Sequence, residues 1–100
     1  MAVYVDSMRA PYRRMIMCHM IADTEEELHA MAAKIGIARR WYQGDHYDIS
    51  LSKRALAVKL GAVEISWRTC GCMVMARRRT GILPSPAKAE ETYKALMAKT

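Results

Sequence analysis

Phenylalanine is absent from the 100-residue sequence, and methionine, at nine residues, supplies much of an apolar content of 52%. Methionine fills irregular gaps in cores and also serves adaptable binding surfaces. No apolar run approaches the ~20 residues of a membrane span, so no membrane contact is expected. The start, Met-Ala-Val-Tyr-Val, reads as a strand and lacks the charged leader of a signal peptide. Cysteine is scarce and odd in number, with Cys18, Cys70 and Cys72 only. In a chain without that leader the expectation is a reducing cytoplasm and not a disulfide framework. Internal repeats of roughly 20–50 residues are lacking as well. One domain with a thin core, marginal alone and prone to form homo-oligomers, is the expectation for this length.

What is present is centred on residues 15–36. Met15–Ala22 is apolar on both faces except at His19, the pattern of a strand covered on two sides. Thr24 and Glu27 then form a capping box, and Glu25, Glu26 and Glu27 favour a helix N-terminus. Leu28, Met31, Ala32 and Ile35 recur on one helical stripe, and Gly36 stops the helix. Residues 2–5 form a plausible first strand that pairs with the central one, and residues 7–14 read as a loop. Ser50 caps a second helix over residues 51–60, with Leu51, Ala55 and Val58 on its stripe and Gly61 as its stop. Residues 62–68 alternate, with Val63, Ile65 and Trp67 facing inward, as in a half-buried strand. Residues 69–72 resemble a turn and residues 73–76 a hairpin arm. The expected class is α+β: a small sheet of about three to four strands packed by two helices, with a C-terminal helical extension. The domain is placed at residues 1–76, a basic linker at 77–85 and the last helix at 86–100, opened by Ser85-Pro86 and braced by Glu90 and Lys94.

The net charge is +6, and the basic residues are clustered, which favours an anionic partner. Phosphate suits arginine, which can bind it in bidentate fashion. Arg39, Arg40, Trp41 and Tyr42 form a basic-aromatic run. Trp41 either stacks a base or anchors its loop to the core. Lys53 and Arg54 occupy the first turn of the second helix, where positive charge opposes the dipole; a bound anion there would compensate.

The motifs Val3-Tyr4-Val5-Asp6, His19, Asp23-Thr24, Glu27-Leu28-His29, Ile35-Gly36, Arg39, Trp41, Gln43, His46-Tyr47-Asp48, Lys53-Arg54 and Gly61-Ala62 resemble those of a family of small phage and bacterial proteins, a conserved domain of unknown function. The resemblance covers roughly residues 2–68, with a loop before His46 that is expected to be longer in many relatives. It implies a phage or prophage setting in a bacterial cytoplasm and no established activity.

Several constellations follow. His19, Asp23, Arg39, Trp41, His46, Tyr47, Asp48, Lys53 and Arg54 would line a pocket for a phosphorylated ligand, most plausibly a nucleotide or nucleotide signal, such as a host defence messenger to be sequestered. No turnover, cofactor or metal is expected of that reading. Arg39, Arg40, Arg77, Arg78 and Arg79 would instead serve a nucleic-acid binder. A host-protein inhibitor would use the methionine-rich surface. A metal-dependent nuclease or phosphodiesterase would need Asp6, Asp23 and Asp48 on a hard cation, with Lys53 stabilising charge. Zinc on Cys18, His19, Cys70 and Cys72 has the right atoms but poor spacing, and adjacent strand residues face opposite ways. Nothing marks the thiols as activated nucleophiles.

Overall fold

The computed structural model describes residues 2–98; Met1 of the expected domain and Lys99 and Thr100 of the expected last helix lie outside them. The strands are β1 (Val3–Val5), β2 (Ala10–Tyr12), β3 (Met15–Ala22), β4 (Tyr47–Ser50) and β5 (Val63–Glu64). The helices are α1 (Glu25–Lys34), α2 (Leu51–Lys59), α3 (Trp67–Thr80) and α4 (Ala89–Ala98), with a single 3-10 turn at Arg39–Trp41. This is the mixed α and β architecture with a C-terminal helix that the sequence implies, and its sheet has five strands.

β3 is the organising strand. Met17 pairs with both Ala10 and Ser50, and Met20 with both Val5 and Tyr47. β1 and β2 therefore share one edge of β3 and β4 takes the other, all antiparallel, while β5 joins the far side of β1 in parallel. Successive residues point to opposite faces. Val3, Val5, Cys18, Met20 and Ala22 pack with Leu28, Met31, Ala32 and Ile35 of α1 and Ala57 of α2. Tyr4 and Ile21 pack with Cys70, Cys72 and Met73 of α3 and Ala89 of α4. The sheet is thus sandwiched between two helical layers.

α1 forms as its sequence dictates. The Thr24 hydroxyl accepts from Glu27 N and donates to Glu27 Oε1, and Gly36 takes φ +82°. Other elements differ from expectation. The residue 7–14 loop contains β2, and Met15 and Ile16 at the start of β3 are exposed. The strand expected at residues 62–68 shrinks to two residues, with Val63 and Trp67 exposed, because Ser66 accepts from Thr69 N and caps a helix there. The supposed turn at 69–72, the hairpin arm at 73–76 and the start of the 77–85 linker are all α3, with Cys70, Met73 and Ala76 on its buried stripe. Gly81, at φ +81°, ends it. The last helix starts at Ala89; residues 86–88 are a turn in which Lys88 N donates to Ser85 O. In α2 most of the expected stripe is turned outward: Leu51 and Ala55 are exposed, as are Leu56 and Leu60 beside it, while Val58 is half-buried against the core and Ala57 is buried.

Candidate functional site

Register alone assembles the polar centre. His19 of β3 faces Asp48 of β4 as a paired position. Continuing β1 by one residue brings Asp6 to the opposite side of His19, where Asp6 N donates to His19 O at 3.0 Å. Three neighbouring strands thus place Asp6, His19 and Asp48 in one row, on the face toward α3. His46, two residues before Asp48, shares that face by alternation.

Asp6 is fully buried, the one buried charged residue among those described. Its Oδ1 accepts from the backbone N–H groups of His19 (2.8 Å) and Met8 (3.3 Å), and its Oδ2 lies 2.8 Å from His19 Nδ1. Burial pushes the Asp6 carboxyl upward, but these bonds outweigh it and hold the group below its ordinary range. His19 is raised in turn, chiefly by the bond to Asp6, with burial opposing and the charges of Asp6, Asp48 and Asp45 assisting. His46 repeats the arrangement: its Nδ1 lies 2.7 Å from Asp45 Oδ1, and Asp45 Oδ2 accepts from Arg78 Nε at 2.8 Å. Both imidazoles therefore have Nδ1 on a carboxylate and Nε2 directed inward. Asp48 Oδ1 lies 3.7 Å from His19 Nε2 and 3.5 Å from His46 Nε2. Those gaps are too long for hydrogen bonds. Asp48 Oδ1 is buried and without a hydrogen-bond partner among the described residues.

Two openings flank this centre. A small cleft of about 170 Å³ under α3 is lined by His19, His46, Trp67, Cys70 and Arg78. A larger groove of about 690 Å³ runs past Asp48, with Tyr12, Trp41, Arg40, Gln43 and Lys53 in its wall. Gln43 Nε2 donates to Asp48 Oδ2 at 2.9 Å. Trp41 is 56% exposed, so it does not anchor its loop in the core. Arg40 lies over its ring, 5.4 Å from the centroid.

The chain belongs to the DUF4031 family, proteins of unknown function. The family model matches residues 3–78, which reaches past the span carried by the motifs and into α3. No curated protein and no solved structure matches the chain. Within this DUF4031 chain, His19, His46 and Asp48 converge, and Trp41 and Lys53 join Asp48 along the groove. The other expected residues are elsewhere. Tyr47 is fully buried on the α1 side, its hydroxyl 2.7 Å from His29 Nδ1. Asp23 accepts from Ala2 N and the Tyr4 hydroxyl. It lies four residues beyond His19, roughly 13 Å along an extended chain. The triad of Asp6, Asp23 and Asp48 therefore does not form. Arg39 is exposed and outside the groove wall.

Arg54 turns toward the sheet, donating to Asp6 O at 2.9 Å and to Glu64 Oε1 at 2.8 Å. Of the expected nucleic-acid arginines, Arg77 bonds Ala22 O and Arg78 pairs with Asp45, while Arg79 is exposed. Cys18 is in the α1-side core, and Cys70 and Cys72 are in the α3-side core, so the four zinc candidates do not share a centre. Burial raises the Cys18 thiol to about 11 and raises Cys70 as well, which leaves both as protonated core residues at neutral pH. Asp6, Asp45, Gln43 and Tyr12 were not among the ligand-pocket candidates. Alternation through Tyr4 to Asp6 carried a signal for the first. Asp45 and Gln43 depend on loop geometry, and Tyr12 on the pairing of β2 with β3.

Among the described residues no helix is long and apolar enough to cross a membrane.

Proposed function

We propose that this chain binds a phosphorylated small molecule carrying a planar ring, a nucleotide, in the groove beside Asp48. The observation that carries the reading is the groove's pairing of two exposed aromatic rings, Tyr12 and Trp41, with two cations, Arg40 and Lys53. Neither cation is in an ion pair among the described residues. Rings offer a stacking surface to a base, and the cations offer charge to a phosphate. Ser50 and Lys53, at the start of α2, also line the groove, so the positive end of that helix adds to the same field. In a phage or prophage setting, which the motif resemblance suggests, such a protein would hold a host signalling nucleotide without turning it over.

Isothermal titration with a panel of mono-, di- and cyclic nucleotides tests this, preceded by native mass spectrometry for a retained ligand and subunit number. Lys53→Ala and Trp41→Ala should each weaken binding by at least about tenfold, the effect of losing about 1.4 kcal/mol of contact. Binding should also depend only modestly on salt, unlike the steep slope of a nucleic-acid interface. A panel without a binder, or variants that bind as tightly as the parent, would overturn the reading.

A further inference from the structure

We propose that His19 Nε2, His46 Nε2 and Asp48 Oδ1 form a binding site for one divalent first-row transition-metal ion. The argument begins with direction. Each histidine has Nδ1 bound to a carboxylate, Asp6 at 2.8 Å and Asp45 at 2.7 Å, so in the neutral ring the proton sits on Nδ1 and the lone pair on Nε2. Both lone pairs then face Asp48 Oδ1, an anionic oxygen that is buried and lacks a hydrogen bond among the described residues. Three electron-rich atoms meeting in one place repel unless a proton or a metal ion stands between them, and a metal ion can bridge all three at once.

Spacing agrees with an ion. Donors about 2.1 Å from a tetrahedral metal lie roughly 3.4 Å apart. The two nitrogen–oxygen gaps are 3.5 and 3.7 Å, and all three donor atoms lie within 4.8 Å of one another. The other candidate group, Asp6, His19 and Cys70, fails the same test. Asp6 and His19 Nδ1 are already at hydrogen-bond distance, which leaves no room for an ion between them. A carboxylate behind each ligating histidine is the usual outer support of a metal site, fixing the tautomer and strengthening the ligand. Two imidazoles and one carboxylate select zinc, cobalt, iron or manganese over magnesium or calcium, and leave further coordination positions open. The site stands independently of the nucleotide reading, because its probe is the metal alone.

Cobalt(II) titrated into the chelator-treated full chain should bind at one equivalent and give visible d–d absorption, and zinc should displace it. Asp48→Asn and His46→Gln should each lower affinity by at least tenfold while circular dichroism remains that of the parent. Asp6→Asn and Asp45→Asn, which leave all three donor atoms in place, should lower it by about 10- to 100-fold. Asp45→Asn stands in for His46→Gln if that variant does not fold. Failure to bind cobalt at micromolar concentrations, undiminished binding by Asp48→Asn, or a thiolate-to-cobalt charge-transfer band would overturn the assignment.

Discussion

Cys18 and Met20 point from β3 into the layer of α1 and α2, while His19 between them points toward α3. The first side is closed at its centre: Val5, Cys18, Met20, Leu28, Ile35 and Ile49 are almost wholly buried there, and Tyr47 has its hydroxyl on His29, while the groove opens at its margin past Ile37 and Lys53. The second side has an apolar patch at Tyr4, Ile21 and Met73, but beside it the row of Asp6, His19 and Asp48 interrupts the packing and a cleft remains. One strand thus supplies stability with one set of residues and chemistry with the alternate set. The lesson is that the two sides should respond differently to substitution.

The largest expected effect is on the closed side. Leu28→Ala should destabilise the fold by about 2–5 kcal/mol, through lost burial and the cavity left behind, with little change in metal or nucleotide affinity once folded. Urea unfolding alongside cobalt titration separates the two; a small stability loss would mean that the layer is less tightly packed than described.

Asp6→Asn probes the open side and should cost about 1–3 kcal/mol, since it weakens bonds to His19 Nδ1 and two backbone N–H groups in a buried position. It should also change the pH profile. His19 is raised above its ordinary 6.5, so its contribution is complete below 6.5 and fades as pH rises through the folded value. Asp6 is lowered below its ordinary 3.8, so its contribution is present above 3.8 and fades as pH falls through the folded value. In chelator, the parent should gain most from the pair between those two values and lose stability toward alkaline pH. Asp6→Asn should flatten that loss, as read by urea midpoints across pH; an unchanged slope would remove His19 as its source.

The smallest effect, and of opposite sign, belongs to Gly71. It sits inside α3 with nothing within 4 Å of an added Cβ. Gly71→Ala should therefore stabilise by about 0.5–1 kcal/mol. A destabilised variant in thermal melts would favour a turn at residues 69–72 over a helix.

α1 was legible because its cap, stripe and stop are all local. α3 was not: the Val63, Ile65, Trp67 alternation overran the Ser66 cap, and Cys70-Gly71-Cys72 imitated a turn while Cys70 and Met73 carried the helical spacing. α2 was placed correctly but rotated, since its buried side is Ala57 with half-buried Val58, Lys53 and Arg54 rather than the leucines. Adjacent helix positions differ by about 100°, which sends Lys53 to the groove and Arg54 to Asp6 and Glu64. The convergence of His19, His46 and Asp48 was anticipated as a possibility. Its proof needs the register between β3 and β4, strands 29 residues apart at the His19–Asp48 pair, and periodicity fixes a face without fixing a register.

The two tryptophans stand at different doors. Trp41 lines the groove, and Trp67, 60% exposed, lines the cleft beside His19 and His46. As the chain holds two tryptophans in all, replacing either with tyrosine leaves a single tryptophan, excitable apart from the tyrosines at long wavelength, reporting on one opening. The molecule is in effect a two-channel optical sensor, able to say from its own emission which entrance a titrant has reached.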